Sequence, residues 1–342
     1  MKIRNGCNLL MTGILVGLAI LFCAHAEAAF PTGVSLERVF QVKDGLSHDS
    51  VLSIAASPDM VFLGTERNLT ILSSDGKVTV WGPKNSPLNF QRVSAMILRG
   101  KELWTTCRSP IDGGGTHRWD GLQWQSFEEI KDDMQSNYIS CFCVDDKNTV
   151  WIGTDNQGIN EFVFEKNPFR KFGYLATKKG LLDNRILCMA ARPGELWIGT
   201  MFGISVYRGK DGENYLFTNY SKATGLPAEA ITSLAMGSNG RVYAGSSLGL
   251  LVFENGTWRL LKKADGLANN GIKSLLVDGD DLWIGTSDGV QLYRNGVFEP
   301  VFNYRDGLPS ALIQCLAVSR GADGIKRLYV GTDHGLAILQ RR

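Results

Sequence analysis

From about residue 34 onward the chain alternates short apolar runs with polar, glycine-rich gaps, and the same run returns at a near-constant interval. The clearest copies are Phe62-Leu63-Gly64-Thr65, Trp151-Ile152-Gly153-Thr154, Trp197-Ile198-Gly199-Thr200, Trp283-Ile284-Gly285-Thr286 and Tyr329-Val330-Gly331-Thr332. Tyr243-Ala244-Gly245-Ser246 is a near variant and Trp104-Thr105-Thr106-Cys107 a degraded copy. Measured at the glycine position, the copies lie 42, 47, 46, 46, 40 and 46 residues apart. That period marks propeller blades rather than short solenoid repeats. Seven anchors predict seven units.

A second marker opens most units: Asp44-Gly45-Leu46, Lys179-Gly180-Leu181, Thr224-Gly225-Leu226, Asp265-Gly266-Leu267 and Asp306-Gly307-Leu308. Each precedes an apolar strand, at Val51 to Ala56, Ile186 to Ala191, Ile231 to Met236, Ile272 to Val277 and Ile313 to Val318. A glycine at a fixed offset between strands supplies the positive φ of a tight turn. Within a unit the order reads apolar strand, Gly-Thr strand, third strand, hairpin, fourth strand, and Asn255-Gly256 and Asn295-Gly296 carry the hairpin signal. Four short antiparallel strands make one blade, and no long 3.6-residue apolar period predicts a helix in the mature chain.

The last unit ends after its third strand, and Leu36 to Leu46 aligns without gaps on Phe298 to Leu308. The expected fold is all-β, a seven-bladed β-propeller closed by the N-terminal strand, Leu36 to Val42, pairing into the last blade. Closure removes the unpaired edge that an open sheet exposes.

The pattern Gly-Leu, apolar strand, Trp-Ile-Gly-Thr, then two residues and Gly resembles the two-component regulator propeller repeat, with Asp265 to Tyr293 the nearest copy. The resemblance implies a sensor-type propeller from the periplasmic region of membrane histidine kinases and hybrid regulators, many responsive to polysaccharide breakdown products. It implies sensing or binding rather than catalysis. The kinase and membrane parts of such regulators do not follow Arg342, so an output would pass through an envelope sensor or membrane partner.

The first residues read as an export signal: Lys2 and Arg4 precede an apolar run from Leu9 to Cys23, and small residues at Ala24, Ala26 and Ala28 suit cleavage. The division is residues 1–28 as signal peptide and 29–342 as propeller, in the periplasm or outside the cell. An uncleaved anchor is the alternative, since Leu9 to Ala26 lies at the lower limit of a membrane span. Without Lys2, Arg4 and Glu27 the 36 basic and 34 acidic side chains become 34 and 33. Near-zero net charge argues against a nucleic-acid partner, and a monomer is expected. The five remaining cysteines have no metal or haem spacing. Cys141, Cys188 and Cys315 fall in one small-residue column with Ser53, Ala95, Ser233 and Ser274 and read as buried thiols, while a Cys107 to Cys143 bridge is conceivable.

Function is expected where blades differ, because recurrence in every blade means packing. The blade-to-blade loops and the loops after Gly-Thr emerge on one face, around the mouth of the central channel. The first set contributes His48, Asp49, Asn137, Asn184, Glu229 and Asn270, with Gln91 and Ala311 in the same column as Asp49. The second contributes Glu66, Arg67, Asp155, Asn156, Phe202, Asp288, Asp333 and His334, and Arg108 opens an eight-residue excursion in blade two. Polar groups beside aromatic ones on a rigid frame suit a glycan, peptide or small molecule. The competing reading of the Asn and Asp residues is that they bond their own turn. His48 and His334, brought together with Asp49 and Asp333, would offer a metal-assisted lyase or hydrolase; a scaffold in an envelope complex is a further alternative. No cofactor motif occurs.

Overall fold

The computed structural model describes residues 33–88, 92–107, 114–129, 134–162, 173–238 and 240–341. The N-terminal segment expected to be an export signal, Gln91, Arg108 and most of the blade-two excursion lie outside them. The described residues form seven four-stranded antiparallel sheets. Six follow chain order; the seventh runs Val34–Phe40, Gly335–Arg341, Lys326–Thr332, Ile313–Arg320. The first strands, Val51–Ala56, Met96–Arg99, Ile139–Val144, Ile186–Arg192, Ile231–Met236, Ile272–Asp278 and Ile313–Arg320, touch one another in a closed ring and line the centre.

Closure is by the N-terminal strand, which pairs antiparallel from Val34 with Arg341 to Phe40 with Leu336. It sits two residues earlier than the internal alignment placed it. Gln41 already caps the next turn, its N–H donating to Asp44 Oδ2 at 3.0 Å. That turn, Val42–Asp44, is one of five single-turn 3-10 helices among the described residues that lead into the Gly-Leu markers, each too short to leave a helical apolar period in the sequence. Gly45 follows with φ 106° and Gly225 with φ 91°, a left-handed conformation that costs glycine no Cβ clash. The next residue, Leu46 or Leu226, is buried under the blade.

The core is seven inter-blade clusters, one per seam. The Gly-Thr strand supplies its centre: Trp104, Trp197 and Trp283 are fully buried, and Phe62, Trp151, Tyr243 and Tyr329 nearly so. The adjoining glycine is where blades approach most closely. A Cβ on Gly285 would lie 2.3 Å from Ser274 Oγ and 2.6 Å from Ile313 Cγ2 of the next blade. On Gly153 it would meet Cys141 Sγ at 2.7 Å and Ile186 Cγ2 at 2.8 Å. This contact explains the serine and cysteine column: only a small side chain fits beneath the glycine. Cys188 Sγ lies 3.3 Å from the Ile231 carbonyl of the following blade. Cys141, Cys143, Cys188 and Cys315 are free thiols, so the Cys107 to Cys143 bridge does not form.

Candidate functional site

The two loop sets do share a face. In blade one the Glu66 N–H donates to the Ser50 carbonyl at 3.3 Å, and the Ser47 N–H donates to Thr70 Oγ1 at 2.9 Å. Buried polar side chains clamp the blade-to-blade loops in the same way elsewhere. Leu182 N–H donates to Ser205 Oγ, Ala268 N–H to Gln291 Oε1 and Gln135 N–H to Asn160 Oδ1.

The threonine of Gly-Thr shapes the second loop set. Its hydroxyl donates to the carbonyl that closes the turn, as from Thr286 to Gly289 at 3.0 Å and Thr332 to Gly335 at 2.8 Å. It also accepts an N–H from the loop: Arg67 to Thr65, Phe202 to Thr200, Asp288 to Thr286 and His334 to Thr332. Backbone polarity is thereby satisfied inside the loop, and the side chains of Arg67, Asn156, Phe202, Asp288 and His334 face solvent. Phe202 is 61% exposed.

The first loop set behaves differently. Asp49, Asn137, Asn184 and Asn270 each turn Oδ1 back on their own loop, accepting the N–H of Val42 at 2.7 Å, Glu129 at 2.7 Å, Thr177 at 2.9 Å and Lys263 at 2.8 Å. Glu229 approaches Lys222 Nζ at 3.9 Å across the corresponding loop. The expected polar ring is thus a ring of loop caps. Glu66 lies 3.6 Å from Arg92.

His48 is also a cap, its Nδ1 accepting the Ser50 N–H at 3.0 Å. His334 Nδ1 stands 3.1 Å from Asp333 Oδ2. Burial raises the Asp333 pKa, but hydrogen bonds from Ser310 and His334 outweigh it and leave the carboxyl below its ordinary value. Among the described residues no three His, Cys, Asp or Glu side chains gather so as to hold a metal ion, so His48, Asp49, Asp333 and His334 do not form a metal site.

What does come together is a hollow between blades three and four, lined by Tyr138, Asp155, Asn156, Asp183, Asn184 and Arg185. Three of these are predicted site residues; Tyr138, Asp183 and Arg185 had not been singled out. Asp183 Oδ1 accepts the Arg185 N–H at 3.2 Å, while Asp183 Oδ2 is buried without a hydrogen-bond partner. Asp333 Oδ1 is likewise buried without one, but the Asp333 carboxyl, unlike that of Asp183, is held by hydrogen bonds from Ser310 and His334. Buried carboxylate oxygens are normally paired, and both of these lie on the mouth face.

A feature absent from the predicted site is a β-bulge at one place in the first strand of six blades, skipping Leu52, Ser140, Leu187, Thr232, Lys273 and Gln314. Val51 and Ser53 on either side face opposite neighbouring blades, since Val51 meets Gly331 while Ser53 donates to the Val93 carbonyl. The extra residue is therefore left on the inner edge, at the channel. Bulges re-aim side chains in this way beside functional sites. In blade two Ser94 holds the same column, but pairing starts at Met96. The sequence signal was available: this column varies in chemistry between two constant ones, the apolar Val51 column and the small Ser53 column.

A ring of seven four-stranded blades with variable mouth loops and a variable inner rim defines a seven-bladed β-propeller. Residues 133–156 and 266–288 match the family model of the two component regulator propeller. No curated protein matches the chain in sequence. In fold it is similar to the extracellular domain of a hybrid two component system from B. thetaiotaomicron, at 18% identity and TM-score 0.70. That match covers 91% of this chain and 41% of the other. A second such domain from B. thetaiotaomicron gives 16% identity, TM-score 0.55 and coverage of 85% and 45%. This chain thus spans less than half the length of either. Virginiamycin B lyase from Staphylococcus aureus is similar at 12% identity and TM-score 0.66, over 90% of this chain and all of that one.

Proposed function

We propose that the protein is an exported, non-enzymatic propeller that binds a small polar ligand, glycan or peptide at its channel mouth, with the sensing role of the regulator propellers it resembles. The observation that carries this reading is Asp183 Oδ2, buried and unpartnered in the hollow beside Tyr138 and Arg185. An orphaned acceptor costs about 1–3 kcal/mol, which a ligand hydroxyl or N–H recovers. Tyr138 offers an exposed apolar ring next to it, the pairing that suits a sugar or peptide. Export is supported by the apolar N-terminal segment and by the extracellular provenance of similar folds. A signal leaves through an envelope or membrane partner.

The test is a thermal-shift screen of oligosaccharides and short peptides on the purified protein, followed by titration of any hit against Asp183→Asn and Tyr138→Ala. Both variants weaken a ligand held in the hollow. A hit that neither variant weakens places binding elsewhere and overturns this reading.

A further inference from the structure

In the third strand of each blade one residue pairs with the aromatic anchor of the Gly-Thr strand, and in five blades it is a buried aliphatic: Ile71, Val206, Val252, Leu292 and Ile338. Blades two and three depart. Arg118 stands opposite Trp104 and is paired with Glu102. Glu161, opposite Trp151, makes no hydrogen bond or ion pair among the described residues. It lines a cavity of about 160 Å³ between blades three and four, on the face opposite the mouth, together with Trp151, Tyr207 and Asp145. The two rings meet edge to face with centroids 5.9 Å apart, and Trp151 Nε1 donates to Asp145 Oδ2 at 2.9 Å. Burial, and then the charge of Glu161, pushes the Tyr207 hydroxyl up to about 12. Burial also raises the Glu161 pKa, and the opposing pull of Lys210 does not restore it. Lys210 instead stands over the Tyr215 ring at 4.5 Å. Four carboxylates and two cations line the cavity, and Glu195 among them is already paired with Arg192 and Arg208.

We infer that this cavity receives a guanidinium group, its N–H fork on the Glu161 carboxylate and its plane against the Tyr207 ring. A guanidinium meets a carboxylate with two parallel donors, stacks on aromatic faces and is more weakly hydrated than an ammonium. Glu161 gives up the apolar contacts that five other blades keep, and no partner within the seam offsets the loss. An arginine side chain and a free guanidine present the same group. The site is separate from the mouth, so its failure leaves the reading of the mouth untouched.

Isothermal titration of the full chain with N-acetylarginine amide, its neutral isostere N-acetylcitrulline amide, N-acetyllysine amide and agmatine tests it. The arginine amide binds more tightly than the citrulline amide by about tenfold or more, the factor one charge-assisted hydrogen bond carries, and more tightly than the lysine amide. Glu161→Gln removes that preference, and Glu161→Leu removes it while raising the thermal midpoint. Agmatine binding more tightly than the arginine amide assigns the site to a free guanidine, and the reverse order to a side chain. Equal binding of the arginine and citrulline amides, equal binding of the arginine and lysine amides, no binding of either guanidine, or a preference that survives Glu161→Gln each overturns the inference. A lower midpoint for Glu161→Leu does so as well, because the carboxyl would then have a partner within the chain.

Discussion

Arg327 and Glu37, 290 residues apart, form a two-pronged ion pair with contacts of 2.7 and 3.0 Å that ties the N-terminal strand to the last blade. The other end of that blade is tied as firmly. Arg341 pairs with Asp278 and Asp281 of blade six, and Lys326 also reaches Asp278. The C-terminus is therefore not a dispensable tail. Removing Val34 to Phe40 strips the closing strand and is expected to abolish cooperative unfolding. Arg341→Ala strands two buried carboxylates that keep Lys326 and Arg294 as partners, for a loss of about 2 kcal/mol. Urea unfolding of the two variants checks both.

Gly285→Ala is expected to cost about 1–3 kcal/mol through overpacking of a filled seam. The added methyl has Ser274 Oγ at 2.3 Å on one side and Ile313 Cγ2 at 2.6 Å on the other. Gly296→Ala is the comparison, because its Cβ meets nothing within 4 Å; its cost comes only from φ 83°. A lower unfolding midpoint for Gly285→Ala than for Gly296→Ala confirms that contact, rather than backbone conformation, selects the repeat glycine.

The frame was legible because it is written seven times. Strand one at Val51–Ala56 and Ile231–Met236 starts and stops where the apolar pattern does, and the Asn255-Gly256 and Asn295-Gly296 hairpins have positive φ throughout. The site was less legible because it lies in what does not repeat. Asp49 and Asn184 look like ligand contacts in a linear chain, yet their oxygens close a turn seven residues back, a geometry set by the 3-10 turn that no apolar period reports. Asp183, one position earlier, carries the unpaired oxygen. Lys273 was hidden by the bulge, since a strict two-residue strand period assigns it to a blade face rather than to the channel.

The thiols test the packing of the inner ring. Burial pushes Cys141 and Cys143 up to about 12, and Cys188 and Cys315 well above the ordinary thiol value. The thiolate is the reactive form, so these four are expected to ignore a disulfide reagent at neutral pH in the folded protein. All four react in denaturant. Rapid labelling of Cys188 or Cys315 without denaturant would mean that the Gly-Thr seams open on the labelling timescale.

His117 gives the fold a pH dependence of definite sign. Its Nδ1 lies 2.8 Å from Ser126 Oγ, and burial lowers its pKa to about 4, against a smaller opposing pull from Glu128. The unfolded chain has the ordinary histidine value near 6.5. Between those values the unfolded state binds the extra proton, so stability from the neutral ring is complete above about pH 6.5 and declines as pH falls toward 4. Because the side chain is only partly buried, the expected loss between pH 7 and pH 5 is on the order of 1 kcal/mol. His117→Gln keeps a polar partner for Ser126 without the titration and is expected to flatten that segment of the stability curve. An equally steep decline in His117→Gln would assign the acid sensitivity to other groups.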